Sequence, residues 1–159
     1  MKVSIISVGK IKEKYFVSAI EEYSKRLSRY CKLNLIEVAD EKTVENASEA
    51  TLDVIKAKEA ERIIKNISDD MYVITLEIKG DMIDSVALSN KINDITVRGY
   101  SNICFIIGGS VGLHKSVSDR ADYKLSFSKM TFPHQLMKVV LLEQIYRSFR
   151  ILNNEPYHK

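Results

Sequence analysis

The segment that most constrains this chain is Asn102 to Ile107 (NICFII), apolar at nearly every position. A strand of that kind has no face to give to water, so it must run through a sheet covered on both sides. The rest of the sequence supplies the cover. Lys2 to Val8 (KVSIISV), Leu33 to Val38 (LNLIEV) and Tyr72 to Leu76 (YVITL) are β-branched runs that predict three further strands, and Lys124 to Phe127 predicts a short fifth. Between them, apolar residues recur at spacings of three and four. Phe16, Val17, Ile20, Tyr23, Leu27 and Tyr30 mark a helix from Glu13 to Arg29, and Leu52, Ile55, Ala60 and Ile63 mark one over Ala50 to Asn66. Asp84 caps a third, running to about Val97, and Pro133 opens a last one that runs to about Asn153. Strand and helix alternate without a repeat and without a linker rich in Pro, Gly or Ser. The expectation is a single α/β domain over residues 1–159, a mostly parallel sheet with helices on both sides.

A chain of 159 residues is long enough to bury a core without a disulfide or metal staple. Its two cysteines cannot make a metal site alone, and Cys104 lies inside the apolar run, where a thiol behaves as a small hydrophobe. The early apolar stretch Val3 to Val8 is too short and too polar for a signal sequence, and nothing later approaches a membrane span, so the expected setting is cytoplasmic, with no membrane partner. The net charge of +3 is mild, but its distribution is uneven. Residues 1–40 carry eight basic and five acidic side chains, residues 41–100 eight and twelve, and residues 101–159 eight and four. A basic face follows if the two ends meet in space; otherwise this is a solvated surface of mixed charge.

In open parallel sheets, ligands sit beyond the carboxyl ends of the strands. Three loops lie there. Glu77-Ile78-Lys79-Gly80-Asp81 follows the third strand, and Gly108-Gly109-Ser110-Val111-Gly112 follows the fourth. The glycines allow close approach of backbone to a ligand, but neither the dinucleotide fingerprint nor a phosphate loop is present. A plain tight turn is the competing explanation. The third loop, Ser126 to His134, places Phe127, Met130 and Phe132 in a segment that periodicity does not assign to a helix. They form either a core plug or an apolar slot for a flat ring whose edge is recognised by backbone groups.

The last helix is apolar around most of its girth: Leu136, Met137, Val139, Val140, Leu141, Leu142, Ile145, Tyr146, Phe149, Ile151 and Leu152 exceed the usual stripe. It must be covered on more than one side, and a second copy of the chain is a natural cover. Glu143, Arg147 and Arg150 form the narrow polar stripe left over, which is also what an ordinary solvated edge looks like. The chain then ends Asn154-Glu155-Pro156-Tyr157-His158-Lys159, expected to leave as an extended arm because Pro156 bars Glu155 from the helix. Its aromatic ring, imidazole and cation suit stacking on and phosphate contact with RNA.

LEIKG at 76–80, FIIGGSVGL at 105–113, LSFSKMTFPHQLMKVVLLEQIYRSFRI at 125–151 and NEPYHK at 154–159 together resemble one family. It is the SPOUT (trefoil-knot) class of small methyltransferases that act on N3 of a pseudouridine in large-subunit (23S) ribosomal RNA. The resemblance covers the whole chain. It implies a C-terminal trefoil knot, which general fold rules would not have offered, a homodimer, S-adenosylmethionine (SAM) as methyl donor, no metal, and ribosomal RNA or the ribosome as partner. It also implies that Leu76, Gly108, Phe127, Ser128, Lys129, Met130, Thr131 and Phe132 hold the cofactor. Lys159 stands where the resemblance implies Arg in many relatives, and a lysine does not offer the bidentate phosphate contact an arginine could.

Methyl transfer to an imide nitrogen needs positioning, and a base or a cation to manage the proton the nitrogen loses. The candidates are His158 as proton acceptor or orienting group, Arg147 for the developing anion and Tyr157 for stacking on the base. His134 and His114 are assigned structural roles. Two other classes compete: a non-catalytic ribosome-binding protein with a nucleotide- or SAM-sensing pocket, and a flavodoxin-like nucleotide module, against which the missing phosphate loop argues.

Overall fold

The computed structural model describes residues 1–159, as β1 (Lys2–Val8), α1 (Lys14–Leu27), β2 (Lys32–Val38), α2 (Glu49–Ile64), β3 (Tyr72–Met82), α3 (Ser85–Val97), β4 (Asn102–Ile107), α4 (Lys115–Arg120), β5 (Tyr123–Ser126) and α5 (His134–Leu152). The strands form one parallel sheet in the order β2-β1-β4-β3-β5. Every residue of β4 is buried, as its composition demands. Side chains alternate between the two faces. Val3, Ile5, Ile74, Ile103, Phe105 and Ile107 pack against α1, α3 and α5, whereas Ile6, Val8, Val73, Cys104 and Ile106 pack against α2 and α4.

This division explains the connectivity. Chain segments that move toward the β2 edge (β1 to β2, β3 to β4) carry their helices on the first face. Those that move toward the β5 edge (β2 to β3, β4 to β5) carry them on the second. All four crossovers therefore share one hand, the condition parallel strands impose.

Several local features depart from the pattern expected of the sequence. β3 does not stop at Leu76. It pairs with β5 up to Leu76, expels Glu77 to Gly80, and resumes at Asp81, so that both Leu76 and Asp81 lie opposite Leu125. Gly80 makes this possible, because a Cβ there would come within 2.7 Å of the Lys124 carbonyl oxygen. β5 begins and ends one residue early, which releases Phe127 into the following loop. α4 was not legible: in six residues it buries only Val117, too little for a period to show.

α5 lies over the first face, between α1 and α3. Leu141, Leu142 and Ile145 are fully buried within the chain itself. Much of the cover that its apolar girth requires is therefore intramolecular. What stays partly open is a stripe through Leu136, Val139, Val140, Glu143 and Arg147. Near its start, Lys138 is 2% exposed and reaches Ser7 Oγ and Glu37 Oε1, each at 3.2 Å. This cation pins α5 to the carboxyl ends of β1 and β2. Leu142→Asp should place an unpaired charge in the core at a cost of about 3–5 kcal/mol, a large share of a domain's stability. Thermal unfolding followed by circular dichroism should show the cooperative transition lost or moved down by roughly 6–20 °C.

Candidate active site

The three loops expected at the carboxyl ends of the strands do converge. They wall a cavity of about 1010 Å³, near the upper end of the range for small-molecule sites, roughly 300–1,000 Å³. Leu76, Gly108, Phe127, Ser128, Met130, Thr131 and Phe132 all line it. Lys129 does not line it but stands exposed between two residues that do. Leu76, Ile107, Leu125, Phe127, Phe132 and Met137 supply part of its apolar lining. Ser126 Oγ donates to the Ser128 carbonyl at 3.1 Å and the Met130 N–H donates to Ser128 Oγ at 3.0 Å, which folds the third loop over this wall. The expelled segment of β3 brings Glu77 into the lining. Its carboxylate is anchored by Thr75 Oγ1 at 2.6 Å and by Ser118 Oγ of α4 at 3.0 and 3.1 Å.

Gly108 owes its identity to its own loop. A Cβ there would lie 3.1 Å from the Gly112 carbonyl carbon and from two carbons of the Leu113 side chain. The turn is closed by the Gly112 N–H on the Gly109 carbonyl at 3.1 Å. His134 also lines the cavity, and its Nε2 would be 3.3 Å from a Cβ placed on Gly9. His114 caps α4: its Nδ1 accepts the Ser116 N–H at 3.2 Å.

Arg147, Tyr157 and His158 are likewise brought together, but elsewhere. The tail is not an extended arm here. It folds back along α5, the Glu155 N–H donating to the Arg150 carbonyl at 2.9 Å and Arg150 Nη2 to the Pro156 carbonyl at 2.8 Å. The physical reason is Glu155, whose carboxylate takes Tyr30 Oη at 2.7 Å, Arg29 Nη2 at 3.2 Å and an ion pair with Arg150. The Tyr30 hydroxyl, and then the Arg150 and Arg29 cations, hold this carboxyl below the usual glutamate range. The Tyr157 ring packs edge-on against Tyr146, centroids 5.0 Å apart, beneath the Arg147 guanidinium at 4.6 Å. Its hydroxyl donates to Glu143 Oε1 at 3.1 Å. Burial, reinforced by the Glu143 carboxylate, pushes the phenol up to about 12, so it stays protonated.

Glu143 is the centre of this cluster. Its Oε1 also accepts Arg147 Nε at 3.1 Å and Nη2 at 2.7 Å, and its Oε2 accepts Gln144 Nε2 at 2.7 Å. Arg147 Nη1 points at His158 Nδ1, 3.3 Å away. A guanidinium only donates, so Nδ1 is the acceptor and the ring proton sits on Nε2. In this arrangement His158 is oriented rather than free to take a proton, and Arg147 is largely neutralised by Glu143. The two ends of the chain do meet, since Arg26, Arg29, Arg147 and Arg150 gather around the Tyr23, Tyr30, Tyr146 and Tyr157 rings.

None of Arg147, Tyr157 and His158 lines the cavity. Ten residues of helix separate Met137 at its rim from Arg147, about 15 Å along the axis at the usual rise. One chain holds both halves of the expected site but does not join them.

The sequence profile of the family described as "Predicted SPOUT methyltransferase" matches residues 1–158. The chain belongs to the SPOUT methyltransferase family. Within it, the ribosomal RNA large subunit methyltransferase H proteins of Clostridium botulinum and Finegoldia magna are 63% and 62% identical to it, with the whole of each chain covered. That of Clostridium tetani is also 62% identical over its full length. Among solved structures, a probable methylase family protein from Haemophilus influenzae aligns with 99% of this chain and 70% of its own at a TM-score of 0.53, with 17% sequence identity, a likeness of fold. Set against this SPOUT framework, the residues that the sequence left unassigned are Glu77, Glu143 and Glu155. The signal for Glu143 was its place, with Arg147, on an otherwise apolar helix. Glu77 was hidden by the break in β3, and Glu155 by a fold-back that Pro156 seemed to forbid.

The tail's attachment is testable through Glu155. A depressed carboxyl pKa contributes stability that is present above the unfolded value, about 4.3, and lost as pH falls through the lower folded value. Hydrogen-exchange protection factors of the bonded amides of Asn153, Asn154 and Glu155, corrected for the intrinsic pH dependence of exchange, should hold at neutral pH and fall only below about pH 4. In Glu155→Gln the same amides should exchange quickly at pH 7.

Proposed function

We propose that this chain is a SAM-dependent methyltransferase that modifies large-subunit ribosomal RNA at N3 of a pseudouridine, acting as a homodimer on the assembled ribosome. What carries the reading is the cavity at the carboxyl ends of β3, β4 and β5, in a chain whose full-length relatives are named ribosomal RNA large subunit methyltransferase H. The lining fits SAM. Phe127, Phe132 and Leu76 offer flat apolar walls to a purine, the backbone of residues 127–132 offers groups for its edge, and Glu77 sets an anchored carboxylate near a cationic ligand. SAM, when bound, supplies an electrophilic methyl group on a sulfonium. The chain's own residues bind, orient and exclude water. Lys56 and Lys79 in the lining and Lys129 beside it give the mouth a positive rim suited to RNA phosphates.

The separation of the two residue sets favours a dimer. The half-open stripe of α5 is apolar at Leu136, Val139 and Val140 and polar at Glu143 and Arg147. A two-fold axis crossing α5 near Val140 sets position 147 of one subunit opposite position 133 of the other, at the cavity mouth. The tail of one chain then completes the site of its partner, with Tyr157 stacked on the target base. Arg147, released from Glu143, faces the developing anion, and His158 Nδ1, freed of Arg147, takes up the proton.

Transfer of labelled methyl from SAM to free 23S RNA, large subunits and whole ribosomes tests the reading. Label should appear at a pseudouridine N3 in whole ribosomes and be lost when SAM is omitted. SAM binding without any transfer would favour a sensing protein instead. Gly108→Val forces the turn off Leu113 and should weaken SAM binding by at least about tenfold in calorimetry. Deleting residues 157–159 should leave SAM affinity nearly unchanged and abolish transfer. Mixing that truncated chain with Gly108→Val should restore part of the activity, because a heterodimer keeps one complete site. If activity stays absent after verified subunit exchange, the site lies within one subunit.

A further inference from the structure

Behind the glycine turn lies a carboxyl group that the fold leaves half used. Glu59, on the inner side of α2, is 4% exposed. Its Oε2 accepts the Glu41 N–H at 3.1 Å, whereas its Oε1 is buried and has no partner. Leaving a buried acceptor unpaired is costly, and native proteins seldom tolerate it without a reason. The group facing it is the glycine turn. A Cβ on Gly109 would stand 3.5 Å from both Glu59 oxygens and 3.0 Å from Val8 Cγ1, so only bare backbone lies this close. On its other side, Gly109 lines the cavity. The same carboxyl also grips the 39–47 loop through Glu41, and that loop reaches the turn a second time, Thr43 Oγ1 to Ser110 Oγ at 3.4 Å. Arg62 holds the loop from below, donating to the Ala39 carbonyl at 2.9 Å and pairing with Glu41.

We propose that Glu59 is a positioning residue for the cofactor cavity: its free oxygen receives a backbone N–H of the Gly109–Gly112 turn when SAM seats, locking the turn and the 39–47 loop together. This rests on the SAM reading of the cavity. A peptide flanked by glycines rotates at little steric cost, so a ligand pressing on the turn from the cavity side can swing an N–H toward Glu59. In the free protein, burial pushes the carboxyl pKa up against the opposing Glu41 N–H. Asp40 and Glu41 add to the rise, Arg62 counters it, and Val8 and Gly109 bring no charge. A second N–H favours the charged form and lowers the pKa in the complex. SAM binding then releases a proton, and affinity rises with pH until the free-state pKa is passed.

The test uses the full chain and SAM, titrated by calorimetry between about pH 5 and 8. Glu59→Gln keeps the side-chain volume and an acceptor for the Glu41 N–H, but replaces the free acceptor with an NH2 group. It should melt within a few degrees of wild type, bind SAM at least about tenfold more weakly, and lose the part of the pH dependence that wild type shows. Wild-type affinity and pH slope in this variant would overturn the proposal. Should the variant not fold, carboxyl carbon NMR of wild type decides: Glu59 must titrate at higher pH without SAM than with it, and equal values overturn the role. Failure of wild type to bind SAM at all is a different result and removes the cofactor reading itself.

Discussion

β4 is dry on both faces, and most of the architecture follows from meeting that condition. Its even-numbered and odd-numbered residues need separate apolar layers, Cys104 and Ile106 toward α2 and α4, and Ile103, Phe105 and Ile107 toward α1, α3 and α5. A chain that must build both layers from crossovers of one hand has to reverse its direction across the sheet. Each reversal leaves a loop at the carboxyl edge, and the loops after β3 and β4 close there on the one that leads from β5 into α5. The cavity is therefore a consequence of how the core is covered, not an addition to it. Its wall is made where β3 breaks its pairing with β5, and Gly80 permits the break because no side chain must fit over the Lys124 carbonyl.

α5 links this core to function. Its inner side is as much core as β4 is, with Leu141, Leu142 and Ile145 sealed, and Lys138 tethers its start to Ser7 and Glu37. A cation so buried is tolerated because Glu37 pairs it and Ser7 accepts a further hydrogen bond, and removing Glu37 would leave an unpaired charge in a dry site. The tether fixes the helix start at the cavity, with Met137 and His134 in the lining. The other end, some four turns away, carries the tail.

Most of the fold was legible because its signals are local and strong: the β-branched content of β1, the full apolar run of β4, the three- and four-residue spacing of α1. The cavity wall was legible for a different reason, since Phe127, Met130 and Phe132 sit where no period explains them. What escaped was short or non-local. α4 has one buried residue, and the second half of β3 lies beyond an expelled segment. The tail's fold-back depends on Glu155 meeting Arg29 and Tyr30, more than 120 residues away in sequence. Local rules see Pro156 and infer an arm, whereas the winning term is a carboxylate with three partners that only the folded chain assembles. Glu59 escaped in the same way, as one acidic residue among several on a helix until the turn behind it was seen.

Glu143 shows why the separation of the two residue sets is chemically sensible. In the single chain, it satisfies Arg147 and the Tyr157 hydroxyl at once, which keeps a guanidinium, a phenol and an imidazole ordered without exposing an unpaired charge. On the proposed function, the same pairing takes up the positive charge that would otherwise stabilise the anion formed when the imide nitrogen loses its proton. Catalytic strength comes from interactions stronger in the transition state than before it, so an arginine already neutralised contributes little until its partner is displaced. An RNA backbone approaching the tail brings competing phosphates and lends the Tyr157 ring a base to stack on. On the proposed function, the substrate is then what loosens Arg147 from Glu143 and frees His158 Nδ1. On the proposed dimer the cluster is held inert by Glu143 and made competent by the RNA, so the partner's cavity meets a free guanidinium and imidazole only when substrate is present.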